Sequence, residues 1–166
     1  MCPGVRRTEN IGDSTGSGLS SAAPALVEVY DSLAGASGSL RNLSLRSRVE
    51  AADETPIVGF VLYGNGPVRV LIRAVGPGLT RFGVSGVIPD PLLWVHSSSE
   101  PLPIAYNTGG MVNADTSRAS ESVGAFPLAR GDAAVVLRLS PGAYTAEVTS
   151  ISGTSGEVLI EVYVLD

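Results

Sequence analysis

From residue 25 onward, apolar and polar residues alternate in short blocks closed by glycine, proline, asparagine and serine. A period of two places successive side chains on opposite faces of an extended strand, and short blocks bounded by turn residues read as an antiparallel β-sandwich or barrel. The pattern predicts strands over 25–30, 40–49, 57–63, 68–75, 91–96, 104–107, 123–128, 133–139, 144–150 and 158–165. In the fourth of these, Val68, Val70 and Ile72 face one way while Arg69 and Arg73 face the other. In the last, Val158, Ile160, Val162 and Val164 oppose Glu157, Glu161 and Tyr163.

Three turn signals, Gly64-Asn65-Gly66, Ser140-Pro141-Gly142 and the segment 153–156, predict hairpins and hence antiparallel pairing. Residues 108–122 form the longest stretch without a strand pattern and have room for one helical turn. The expected architecture is all-β, an antiparallel sandwich of about 9–10 strands with Greek-key or jelly-roll connections.

Residues 1–24 are rich in Gly, Ser and Thr and lack periodicity, so they read as linker. Leu26-Val27-Glu28-Val29-Tyr30 then recurs, in the same phase, as Leu159-Ile160-Glu161-Val162-Tyr163 near the end of the chain. The repeat predicts that 25–31 is an orphan strand closing a preceding unit of a tandem array, with the sandwich itself over 32–166. Such a strand carries a second expectation: Leu26, Val27, Val29 and Tyr30 can pair with a sheet edge of this chain or of another copy.

Composition narrows the chemistry. With 20 glycines, 11 prolines and only 16% charged residues in 166, helix is the minority expectation. All 11 basic residues are arginine, which removes Schiff-base chemistry and any phosphate-loop lysine. A net charge of -5 opposes nucleic acid and anionic membranes as partners, and no apolar run approaches the roughly 18 residues a membrane helix needs. Cys2 is the single cysteine, so no internal disulfide forms. Arg6 and Arg7 are not followed by an apolar stretch, so no signal peptide is expected at the start.

The resemblance rests on several runs: 25–31, Leu40-Arg-Asn-Leu-Ser44, Val70-Leu-Ile-Arg-Ala-Val-Gly-Pro77, Asp90-Pro91, Gly124-Ala-Phe126, Asp132-Ala-Ala134 and Pro141-Gly-Ala-Tyr-Thr145. With these the chain resembles an uncharacterised tandem β-sandwich repeat of large secreted bacterial proteins. More loosely, its second half is similar to bacterial pre-peptidase C-terminal domains. The resemblance implies an accessory, extracellular or cell-surface module whose partners are neighbouring domains or other copies of itself.

Candidate sites divide by chemistry. His96 is the only histidine, and no Gly-x-Ser-x-Gly elbow is present, so neither a zinc site nor a hydrolase triad is expected and the chain reads as non-catalytic. Asp90, Asn107, Asn113 and Asp115 supply the oxygen ligands that Ca²⁺ prefers, although the same residues cap turns and helices. Arg69 and Arg73 share a strand face, as a bidentate site for an acidic sugar or as cross-strand partners of Glu147, Glu157 or Glu161. Trp94 and Tyr106 are candidates for an aromatic platform that stacks polysaccharide, or for packing beneath loops. Arg130-Gly131-Asp132 spells an adhesion tripeptide, placed where Gly-Asp is ordinary turn chemistry. The expected function is a structural or adhesive repeat of an extracellular protein, with a carbohydrate-binding accessory module as the alternative.

Overall fold

In the computed structural model the described residues are 41–50, 55–109 and 113–165. The segments 1–24 and 25–31, and with them Leu26, Val27, Val29 and Tyr30, lie outside these residues.

Among the described residues eight strands form in chain order: β1 (Asn42–Val49), β2 (Ile57–Leu62), β3 (Val68–Val75), β4 (Pro91–Ser97), β5 (Ala105–Asn107), β6 (Ala133–Leu139), β7 (Gly142–Ser150) and β8 (Gly156–Leu165). They assemble into two four-stranded sheets, ordered β1-β8-β3-β6 and β2-β7-β4-β5, with every named pair antiparallel. The architecture is an all-β sandwich. Its core lies between the sheets, where Val70, Ile72 and Ala74 of β3 and Val158, Ile160 and Val162 of β8 meet Leu93 and Val95 of β4 and Ala146 and Val148 of β7. These are the inward members of each period-two alternation.

The turns behave differently from the sequence expectation. Each of the three predicted hairpin turns joins strands of different sheets: β2 to β3, β6 to β7 and β7 to β8. They are arches that cross from one sheet to the other, and among the described strands β4–β5 is the one chain-consecutive pair that shares a ladder. Turn chemistry specifies a reversal, whereas the sheet to which the next strand returns depends on which apolar faces meet. At the β6–β7 arch the Tyr144 hydroxyl donates to the Ser140 carbonyl at 2.8 Å, and its ring stacks on Phe60, its cross-strand partner, with centroids 5.6 Å apart.

Residues 123–128 form no strand. They belong to a connection that follows helix α1 (Ala114–Ser122) and runs to β6. The helix occupies the region expected to hold a helical turn, and it begins where the Asn113 side chain accepts the Thr116 amide at 2.8 Å. It packs on β3 and β6. There Ala119, Val123 and Leu128 join Leu71, Ala134, Val136, Leu165 and Tyr163 in a second, smaller apolar cluster. The outer face of the first sheet is therefore covered around Leu71 and Arg73, while the outward residues of β1 stay exposed.

Candidate functional site

β4 starts at Pro91, directly after Asp90, and alternates strictly. Pro91, Leu93 and Val95 point into the core, while Leu92, Trp94 and His96 point outward. On one side β5 places Tyr106 opposite Trp94. On the other, β7 places Glu147 opposite Trp94, and β2 places Ile57 opposite Glu147. The register thus draws one row across all four strands: Ile57, Glu147, Trp94, Tyr106. The next row holds Gly59, Thr145 and His96.

The row forms an open surface. Tyr106 is 63% exposed and Ile57 56%. The rings of Trp94 and Tyr106 lie 5.3 Å apart, tilted by 36°, as one continuous aromatic surface. His96 Nε2 approaches Glu147 Oε2 at 3.8 Å, and both side chains are about one third exposed. At Gly59, across β7 from His96, a side chain would meet nothing within 4 Å. No arginine occurs in β2, β4, β5 or β7.

The two arginines also expected as polysaccharide ligands lie across the sandwich from these aromatics, on the outer face of the first sheet, where Arg73 is covered and Arg69 is partly exposed. Arg69 reaches helix α1, where its Nη2 lies 3.0 Å from Asp115 Oδ1. Arg73 is fully buried and directly opposite Glu161 in the β3–β8 ladder, with Nε 3.2 Å from Glu161 Oε2. Four residues expected in one site therefore divide into two pairs on opposite faces, and a guanidinium with no accessible surface does not bind a sugar arriving from solvent. The alternation showed that Arg69 and Arg73 share a face. It did not show that a helix and a loop close over that face.

Arg73 anchors a buried polar centre. The Phe126 ring covers the guanidinium, with Cζ 4.5 Å from the ring centroid; Arg81 lies 5.8 Å from that centroid, and Phe82 packs edge-on against the same ring at 4.9 Å. Burial pulls the Arg73 pKa down, and the facing Glu161 carboxylate partly offsets this. Tyr163 donates to Glu161 Oε1 at 2.7 Å, and burial together with that bond pushes its phenol up to about 12.

Asp132 lies beside this centre, nearly fully buried, and collects three backbone donors: Gly76 at 3.0 Å, Gly78 at 2.9 Å and Ala129 at 2.7 Å. It thereby fixes the start of a 3₁₀ helix (Pro77–Phe82) against the loop leading into β6. Gly78 is required there because a Cβ would collide with the Asp132 carboxylate. With its carboxylate so engaged, Asp132 is not displayed for recognition, and the adhesion tripeptide is a structural turn.

The calcium candidates are likewise held by local partners. Asp90 accepts from the Ser150 hydroxyl at 2.7 Å and the Ser152 amide at 3.0 Å, tying β4 to the β7–β8 arch. Asn107 Oδ1 accepts the Gly109 amide at 2.9 Å, Asn113 caps α1, and Asp115 pairs with Arg69. Among the described residues, no group of three or more His, Cys, Asp or Glu side chains gathers to hold a metal. Also among them, no helix is long and apolar enough to cross a membrane. The strand repeated at Leu26–Tyr30 corresponds to the middle of β8, an interior strand between β1 and β3.

No protein-family model and no curated protein matches the chain. Among solved structures it is similar to the pre-peptidase C-terminal domain of a collagenase from Bacillus anthracis, with 15% identity over 74% of this chain and 89% of that one and a TM-score of 0.47.

Proposed function

We propose that the chain is a non-catalytic, adhesive module of an extracellular protein, and that it binds polysaccharide through the outer face of the β2-β7-β4-β5 sheet. The observation that carries this reading is the ring pair of the half-buried Trp94 and the exposed Tyr106, in one row with Glu147 and the exposed Ile57 on the outer face of the sheet. Large rigid aromatics contribute contact area at low entropic cost, and the apolar faces of sugar rings stack on them while hydroxyls reach the polar groups alongside. The recurrence of the β8 sequence at Leu26–Tyr30 supports a place in a tandem array, where repeated weak sites act together.

The test is co-sedimentation with insoluble polysaccharides, followed by titration calorimetry with soluble oligomers. Trp94→Ala and Tyr106→Ala are each expected to weaken binding about tenfold or more while the chain stays folded. Binding unchanged in both variants would overturn the assignment of this face.

A further inference from the structure

We propose that this platform selects cationic amino-sugar polymers over neutral and acidic ones, and that Glu147 is the selecting residue. The inference rests on the glycan-binding reading above and adds the charge class of the ligand.

Sign and position of charge carry the argument. The four strands of the platform sheet contain one acidic residue, Glu147, and one basic group, His96. Glu147 sits within the row, between Ile57 and Trp94, rather than at its rim. Its charged contact is the 3.8 Å approach of His96, too long for a hydrogen bond, and no hydrogen bond from the described residues reaches its carboxylate. A partly exposed carboxylate flanked by an indole can accept from a ligand without first giving up an internal bond.

An ammonium placed there gains twice. It receives a charge-assisted hydrogen bond from Glu147, and it lies beside ring faces whose quadrupole attracts cations. A uronic acid at the same position meets the carboxylate with like charge and finds no guanidinium on that sheet to compensate. The net charge of -5 adds a weaker, salt-screened bias of the same sign. A neutral or N-acetylated sugar keeps the stacking and loses the ionic contribution. The sequence suggested an acidic sugar through Arg69 and Arg73; with both arginines on the far face, the electrostatics reverse.

The experiment is titration calorimetry of the full chain with three oligomers of equal length: glucosamine, N-acetylglucosamine and galacturonate. It is run at low salt and a mildly acidic pH at which the free amines are protonated. A parallel set in His96→Gln keeps the charge of the histidine out of the comparison. The wild-type chain is expected to bind the glucosamine oligomer about threefold to tenfold more tightly than the N-acetylated one, with galacturonate weakest. Glu147→Gln is expected to bring the first affinity down to the second while moving the second less than about twofold. Glu147→Lys is expected to invert the order and favour galacturonate.

A cationic preference that survives Glu147→Gln, or wild-type affinities that do not distinguish glucosamine from N-acetylglucosamine, would overturn the proposal. If Trp94→Ala still abolishes binding in that case, the platform itself stands. If the wild-type chain binds none of the three oligomers, nor the insoluble polymers, the glycan-binding reading fails and this inference fails with it.

Discussion

The outer faces of the two sheets began from the same kind of sequence and ended differently. Both sheets include strands that alternate apolar and polar residues, β3 and β8 in the first and β7 in the second. On the first sheet the outward residues Leu71 and Arg73 of β3 lie under α1 and the connection after it, so an apolar cluster and the Arg73–Glu161 ion pair are sealed there, while Arg69 pairs with Asp115 at the margin of that cover. On the second sheet the outward residues Ile57 and Tyr106 are exposed and Trp94 is half-buried, and the acidic and basic residues within its four strands are Glu147 and His96. Alternation states which residues share a face, but not what lies on top of it. Burial made Arg73 structural, while Tyr106 and part of Trp94 stay open to solvent.

The largest effect is expected where burial is greatest. Glu161→Ala strands the Arg73 guanidinium without its counter-charge and is expected to destabilise the chain by about 3–5 kcal/mol in urea unfolding. Replacing both partners with apolar residues, Arg73→Met with Glu161→Leu, recovers most of that loss. A double variant as unstable as the single one would mean that Arg73 matters for something besides its pairing with Glu161. Next comes Asp132→Ala, which removes the acceptor for three backbone amides and is expected to cost about 2–4 kcal/mol in the same measurement. A cost below 1 kcal/mol would show that the 3₁₀ helix does not depend on that carboxylate.

The covered face also has an alkaline signature. The folded-state pKa of Tyr163 lies near 12, above the ordinary value of 10.0, so its contribution is fully present below pH 10 and is lost as pH rises from about 10 to 12. Tyr163→Phe is expected to flatten that limb of a stability-against-pH curve, and an unchanged limb would refute the assignment. The smallest stability change is expected on the open face, where Tyr106→Ala should cost less than about 1 kcal/mol because the side chain is mostly in water. Combined with lost glycan binding, a small cost separates the two faces; a large one would make Tyr106 part of the framework.

Much of this was readable in the chain. The shared faces of β3 and β8 follow from alternation, and Trp94 and Tyr106 stood out as the aromatic pair to test. The polar centre around Arg73 and Asp132 was harder to see. Its residues lie in the runs Val70–Pro77, Gly124–Phe126 and Asp132–Ala134, which carried the family resemblance. Those runs are far apart in sequence, and nothing local shows that they converge. The segment 123–128 also has a strand-like composition, and it is irregular here because its apolar members pack beneath α1 and against Arg73 rather than joining a ladder.

The sequence by itself determined the all-β class, the approximate positions of the strands from β1 to β8 and the two faces of β3 and β8, because a period of two is a local property of an extended backbone. Tertiary structure alone decided that the glycine turns cross between sheets, that Arg73 is sealed against Glu161, and that Glu147 stands beside the exposed aromatics. Those outcomes depend on which faces meet and on register between strands distant in the chain, and no local pattern of residues encodes either.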